Sequence, residues 1–420
     1  MLLKNILMML DKPNSLPKKR AINTFYLKYF SGSFIFSNID PTIFFSMKNF
    51  SFKLNFAFIF FSIVLLLIVN LFPQASSEVV LENVSVTAIR DEPNYVWLAT
   101  YGQGIYRYSK KDNKWTNFST SSNNLENDLF SCLAVSDDYV WAGSIEGLFT
   151  YDKKRNTWRK RKFAVGGEMG NWIRSLCYDK KESTLWIGRF KNLTELDVKR
   201  QKFTEHDLTK NNDPKTNTIK SIKLDGDSLV WFGSESGVHV YNKQTKDSAT
   251  VWRFINNKKG FNAEGDAVSV SDFLFEGDNI WFATDEFVTP QQPNFNMGGI
   301  YKYNRKLKWE RISKQDGLPG NGIYCLEKTG NKIWAAVYAF DKKNKKEYGK
   351  GFVIIDRVSG KIVNIDLNQT EISSSLVQTF YFDGNEMWVG TDKGLYKFAI
   401  NNPLAKWSGK KEAPKTNKKK

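Results

Sequence analysis

A tryptophan-centred phrase recurs seven times in this chain, and it constrains the fold more than any other feature. It reads VWLATYGQGIYRY around Trp97, VWAGSIEGLFTY around Trp141, LWIGRFKNLTEL around Trp186 and VWFGSESGVHVY around Trp231. It returns as IWFAT at Trp281, IWAAV at Trp334 and MWVGTDKGLYKF at Trp388, with intervals of 44, 45, 45, 50, 53 and 54 residues. Self-similarity at this period, with several short strands per unit, marks a radial array of small sheets and not a single core of long elements.

Each unit divides into four segments. An apolar run such as VTAI (86–89) or IKSI (219–222) is followed by a turn rich in Asp, Gly and Asn, such as DGDS (225–228) or DGNE (383–386). That turn is a hairpin signal leading into the tryptophan strand. A Gly then opens an alternating strand, GIYRY (104–108) or GGIYKY (298–303), and a polar hairpin leads to a fourth segment with Trp115, Trp158, Phe203, Trp252, Trp309 or Trp407. Four strands of about five residues, each about 17 Å long, make one blade. The expected fold is all-β, a seven-bladed β-propeller of four-stranded antiparallel blades.

Aligned first strands show three columns. Val86, Phe130, Ile173, Ile219, Val270, Ile323 and Val377 are large and apolar. Two positions on stand Ala88, Cys132, Ser175, Ser221, Asp272, Cys325 and Thr379, mostly small, as crowding at a central axis demands. The next column is Ile89, Leu133, Leu176, Ile222, Phe273, Leu326 and Phe380, which fills the gaps between blades whose two faces are both covered.

The repeat resembles the two-component regulator propeller repeat, whose usual form is DGLPSN-x-V-x-S-I, D-G-x-L-W-I-G-T and G-L-x-R-Y-D. Residues 316–323 read DGLPGNGI and 383–396 read DGNEMWVGTDKGLY, and the resemblance spans roughly 84–408. The third unit departs from it with Arg189-Phe190-Lys191-Asn192 where Thr and Gly are usual, and the fifth and sixth units carry insertions. The resemblance implies an extracellular sensor, the part of a hybrid regulator that binds a ligand. No kinase, receiver or DNA-binding segment follows residue 408 in this sequence, so the module is expected to bind alone or to signal through a separate protein partner.

The ends differ in composition. Residues 1–46 form an upstream extension, with Met47 the expected start. Lys48 and Lys53, the uncharged run from Phe56 to Val69 and the cluster Ala75-Ser76-Ser77 have the three parts of a secretory signal over 47–77. The alternative is an uncleaved anchor over 55–72, nearly long enough to span a bilayer. The exit site favours cleavage, and both alternatives place the propeller, 78–408, in the periplasm or outside the cell. The net charge of +17 sits largely in the ends: residues 1–75 hold +6, and the basic tail 409–420 holds +5. The modest excess left on the propeller gives no reason to expect nucleic acid, and membrane contact is expected only through the N-terminal segment.

Chemistry-bearing motifs are sparse. No Gly-rich phosphate loop, zinc signature or nucleophile elbow appears, so no cofactor, metal or catalytic residue is assigned. Cys132, Cys177 and Cys325 lie in three separate blades at no ligand spacing and read as small core thiols. His206 is expected in an inter-blade loop and His239 at a half-buried strand position, where a structural role is usual.

The resemblance places ligands on the face built by loops joining successive blades and by the turns between second and third strands. The longest loops lie there: 163–172, 206–218, 256–267 and 366–375 in the first set, with the insertions 285–298 and 339–350 in the second. Thr87, Ser131, Arg174, Lys220, Ser271, Tyr324 and Gln378 are expected to ring the channel mouth. Arg174 and Lys220, in adjacent blades beside Trp172, suit a carboxylated or sulfated sugar, with Asp272, Tyr324 and Gln378 completing the candidate site. The alternative is that the two cations pair with Asp272, Glu168 or water. A ligand- or partner-binding sensor is therefore expected first, with a glycan as one candidate ligand. A polysaccharide or small-molecule lyase or hydrolase on the same face comes second, and a structural surface protein third.

Overall fold

The computed structural model describes residues 77–400, apart from Asn123, Lys246, Ala249 and Leu307. The expected signal segment, the upstream extension, Trp407 and the basic tail lie outside the described residues. Among the described residues no helix is long and apolar enough to cross a membrane.

Seven four-stranded antiparallel sheets surround one axis. Blades 1 to 6 are continuous in sequence, at 86–118, 130–161, 173–206, 219–255, 270–312 and 322–364. Blade 7 takes three strands from Val377–Phe382, Glu386–Thr391 and Gly394–Ala399, and its outer strand is the N-terminal Ser77–Glu82. That strand pairs antiparallel with Gly394–Ala399, Val79 opposite Tyr396 and Glu82 opposite Gly394. The fourth strand that the sequence placed at Trp407 is thus supplied by the other end of the described chain. This strand covers the third strand of blade 7, whose hydrogen-bonding groups would otherwise form an open edge.

The apolar column of the first strands is fully buried in all seven blades, at 0% exposure from Val86 to Val377. These residues pack against the second strand of the neighbouring blade, so each hydrophobic cluster is shared by two blades. The seven tryptophans are buried between blades as well. Their polar edge has a consistent solution in five blades, where the indole N–H reaches the turn between first and second strands. Trp97 donates to Glu92, Trp231 to Asp225, Trp281 to Glu276, Trp388 to Asp383 and Trp334 to the Thr329 hydroxyl. The acids of that turn therefore both shape the hairpin and satisfy a buried donor.

Two residues after each of Trp141, Trp186, Trp231 and Trp388 stands a glycine, because neighbouring blades meet there. A Cβ on Gly188 would lie 2.2 Å from the Ser175 hydroxyl and 2.8 Å from Ile219. One on Gly233 would lie 2.3 Å from Ser221 Oγ and 2.7 Å from the Val270 carbonyl oxygen. Replacing Gly233 with Val is expected to overpack this seam and cost about 1–3 kcal/mol of stability. Chemical denaturation of the two proteins measures it, and an unchanged midpoint would refute the account of the seam.

Candidate functional site

Every inner strand carries a β-bulge at the same position. In blade 1, Val86 pairs with Thr100 and Ala88 with Ala99, leaving Thr87 as the extra residue. The same one-residue slip occurs at Ser131, Arg174, Lys220, Ser271 and Gln378, and in blade 6 across Tyr324 and Cys325. A bulge re-aims a side chain that regular pairing would bury. All seven residues predicted to ring the mouth line a central cavity of about 520 Å³. The sequence placed them by counting, and the bulge is the reason they face the channel.

The hydroxyls of this ring stitch adjacent blades. Thr87 donates to the Phe130 carbonyl at 2.8 Å, Ser131 to that of Ile173 at 2.8 Å and Ser271 to that of Ile323 at 2.5 Å. Where the bulge residue is Arg174 or Lys220, the small column supplies the bond instead, from Ser175 to Ile219 at 3.4 Å and from Ser221 to Val270 at 3.1 Å. The two cations are thereby released for the mouth.

Both are neutralised across a blade boundary. Arg174 pairs with Glu235 at 2.5 Å, and Lys220 pairs with Asp285 while donating to Ser269 at 3.3 Å. Glu235 and Asp285 occupy equivalent positions, four residues after Trp231 and Trp281 and just after the buried hydroxyls Ser234 and Thr284. Their amides bond the carbonyls of Thr218 and Ser269, so each acid is fixed by the loop entering its own blade. The cations do pair, then, but with different acids from those named on sequence grounds. Asp272 instead lies in the small column, bound to Lys223 at 2.9 Å and to the Leu326 amide at 2.9 Å. It lines the same cavity but pairs with neither Arg174 nor Lys220.

Trp172 does not line the channel. Its ring stacks on Phe190 at 5.1 Å and 3°, and the Arg174 guanidinium stands 5.4 Å from Trp172 and 5.7 Å from Phe190. This platform depends on Arg189, one residue of the noted departure from the repeat. Blades 1, 2, 4, 5 and 7 hold Ser or Thr there, closing the turn with a bond to a glycine carbonyl. Arg189, fully buried, donates to the Val165 and Gly170 carbonyls at 3.0 and 2.8 Å and pairs with Glu205. It thereby pins the loop that ends at Trp172.

On the opposite side of the mouth, Tyr324 stacks on Tyr338 at 4.3 Å and donates to Glu347 at 2.7 Å. Tyr338 donates to Asp285 at 3.2 Å. Burial first, then the carboxylates of Asp285 and Glu347, hold both phenols above their usual range. Gln378 completes the ring with a buried amide oxygen that has no partner. The two insertions join this region in a form the sequence did not foresee. They are largely prolonged hairpins, with strands Asn279–Phe287 and Asn296–Tyr303 in blade 5 and Lys332–Asp341 and Lys346–Asp356 in blade 6. Phe287 and Phe340 connect them at 5.0 Å.

Glu235, Tyr338 and Phe190 were missed as site residues by sequence reasoning, and Asp285, Glu286, Asn296 and Glu347 were covered only as members of the insertions 285–298 and 339–350. Tabulating the residue four positions after each repeat tryptophan would have found four of them as an aligned column: Phe190, Glu235, Asp285 and Tyr338.

Deeper in the channel, Glu327 is held above the usual carboxylate range by burial, opposed by Lys223 and Arg90. Burial also raises the thiols, Cys132 to about 12 and Cys177 to about 11, which suppresses the reactive thiolate. The three cysteines are free and line the channel. Among the described residues no group of three His, Cys, Asp or Glu is placed to hold a metal ion. His206 is not in a loop: it ends the strand Lys202–His206 and contacts Glu195 at 3.0 Å.

His239 is fully buried and not half-buried as expected, with Nε2 against the Thr216 carbonyl at 2.8 Å. Burial lowers its pKa from 6.5 to about 4. A depressed folded value means that the unfolded chain binds the proton first, so stability is retained above pH 6.5 and lost as pH falls toward 4. The full difference is about 3 kcal/mol. His239→Gln is expected to flatten the pH dependence of the melting temperature across this window, and an unchanged slope would refute it.

No family model matches the chain. A curated relative, Histidine kinase P4 of Formosa agariphila, is 25% identical over 322 residues, which is 71% of this chain and 21% of the kinase. The extracellular domain of a putative hybrid two-component system from B. thetaiotaomicron superposes with a TM-score of 0.59 at 16% identity, covering 78% of this chain and 40% of that one. PorZ, a surface component of the type-IX secretion system of Porphyromonas gingivalis, gives 0.52 at 12% identity, covering 75% of this chain and 46% of that one. The chain spans about a fifth of the kinase and two fifths of the solved sensor domain. It is a seven-bladed propeller resembling the extracellular sensor domains of hybrid two-component systems.

Proposed function

We propose that this chain is an exported, non-catalytic sensor module that binds an extracellular ligand on the face bearing the channel mouth. The observation that carries the reading is the unequal distribution of exposed chemistry. Seven large apolar side chains are exposed among the described residues, and six of them, Tyr101, Ile145, Val165, Met169, Phe287 and Tyr348, lie on loops and hairpins of that one face. Val358 is the exception, on the opposite face. Clustered apolar exposure on a rigid scaffold is the signature of a binding face. The likeness to extracellular sensor domains and to a bacterial surface component supports export and sensing.

The mouth favours a neutral, hydroxyl-rich ligand such as a glycan over the anionic one suggested by Arg174 and Lys220 alone. Each cation already has a carboxylate, so a bound anion would have to displace Glu235 or Asp285. A neutral sugar meets the Trp172–Phe190 platform with its apolar face and the ion pairs with its hydroxyls. A second reading has one supporting observation: Tyr101, Ile145, Val165 and Met169 form an arc over blades 1 to 3, suited to a protein partner.

A ligand at a hundredfold excess over its Kd adds about 2.7 kcal/mol of stability. Thermal shift of the full chain against neutral and anionic glycans is expected to show stabilisation by a neutral one, reduced by Arg174→Ala. Stabilisation by anionic glycans alone would overturn the neutral preference. No shift with any glycan would leave the protein-partner reading, tested by pull-down with a Tyr101→Asp, Ile145→Asp variant as control.

A further inference from the structure

A second cleft, of about 300 Å³, opens beside the mouth between blades 4, 5 and 6. Its polar lining consists mainly of acceptors. Glu235 and Asp285 are matched by Arg174 and Lys220, but Glu286 and Glu347 have no cationic partner among the described residues. Glu286 accepts from the Phe340 amide and from Asn321, both at 3.1 Å, which fixes its carboxylate without neutralising it. Asn296 lines the same cleft at 6% exposure, and its amide oxygen has no hydrogen-bond partner. A buried acceptor without a donor is costly unless a bound group supplies one.

The apolar lining points the same way. Phe287 and Phe295 form one wall, and the Lys215 ammonium already lies over the Phe295 ring, 4.2 Å from its centre. The cleft thus holds a primary ammonium of its own on an aromatic face, next to uncompensated carboxylates. A site that offers surplus negative charge, an unpaired acceptor and an aromatic face is complementary to a protonated amine.

We propose that this cleft binds the ammonium group of a small amine-bearing ligand, such as an amino sugar, donating to Asn296 and to the carboxylates of Glu286 and Glu347. The volume suits a ligand of about one ring, at the lower end of small-molecule sites. The inference rests on the reading of this face as a ligand-binding surface and names the ligand chemistry for one part of it.

Calorimetric titration of the full chain with glucosamine, N-acetylglucosamine and glucose tests it, because acetylation keeps the ring and removes the charge. Glucosamine is expected to bind at least tenfold more tightly than the other two, with the advantage fading as pH rises through the pKa of its amine. Glu347→Gln, at an exposed hairpin position, and Asn296→Ala are each expected to reduce that advantage several-fold, with melting curves confirming that both variants fold. Equal binding of all three sugars would overturn the amine assignment and leave the sensor reading standing. A glucosamine preference that persists in both variants would place the amine elsewhere and overturn the site. Failure of these sugars and of all other glycans to bind would remove the small-ligand reading of the face together with the inference.

Discussion

Seven strands converge on one axis, and the space left there decides most of what this protein can present to a ligand. Neighbouring blades approach so closely at the second strand that only Gly or Ala fits, as at Gly188, Gly233 and Ala99. The inner strands meet that constraint with small residues and with a bulge in every blade. The bulge moves one side chain per blade out of the packed seam and into the channel. The ring from Thr87 to Gln378 is therefore a consequence of packing. Its default chemistry is also structural, since the hydroxyls of Thr87, Ser131 and Ser271 are spent on the next blade's backbone.

Long side chains at the bulge change that balance. In blades 3 and 4 the small column takes over the inter-blade hydrogen bond, freeing the bulge positions for Arg174 and Lys220. Each then reaches an acid one blade further on, four residues after the tryptophan of that blade. The two ion pairs are copies of one arrangement, rotated by one blade. They are partly buried, so desolvation offsets much of their Coulomb attraction and their net contribution to stability is small. Their larger effect is to neutralise the cationic side of the mouth while leaving Glu286 and Glu347 as uncompensated charge on the other. Polarity across the mouth comes from that inequality.

The architecture was legible because a propeller repeats its constraints seven times, and agreement among Val86, Phe130, Ile173, Ile219, Val270, Ile323 and Val377 survives any local irregularity. The mouth was legible to the same extent, since its members hold a fixed offset from that column. What escaped were contacts between units. The pairing of Arg174 with Glu235 spans 61 residues, and nothing local to either one selects the other. Asp272 fell in the expected column but turned to Lys223, a choice set by three-dimensional distance and not by spacing. The insertions looked like loops because Lys, Asn and Asp dominate 341–347, yet a tight turn lets both flanks continue the ladder from Tyr338 opposite Gly349 to Asp341 opposite Lys346. Residues 78–82 could be read as a strand that latches the termini, but five or six residues carry too little pattern to settle their partner strand.

The departures from the repeat are grouped in space. Arg189 in blade 3 replaces a hydroxyl that blades 1, 2, 4, 5 and 7 keep, and it fixes the loop that carries Trp172. Blade 5 prolongs one hairpin and blade 6 another, and Phe287 and Phe340 lock the two together. Blade 4 contributes Lys220 and Glu235, which tie the altered blades on either side. A repeat protein needs regularity only where units pack, so substitutions that abandon it at a cost in burial of charge, as Arg189 does, call for a return elsewhere. Here the return is a rigid aromatic platform on one side of the mouth and an acidic, aromatic cleft on the other. Blades 1, 2 and 7 keep both the hydroxyl and the short turn between second and third strands. The arc of blades 3 to 6 is where this chain departs from a generic propeller, and the proposed ligand site is built from those departures.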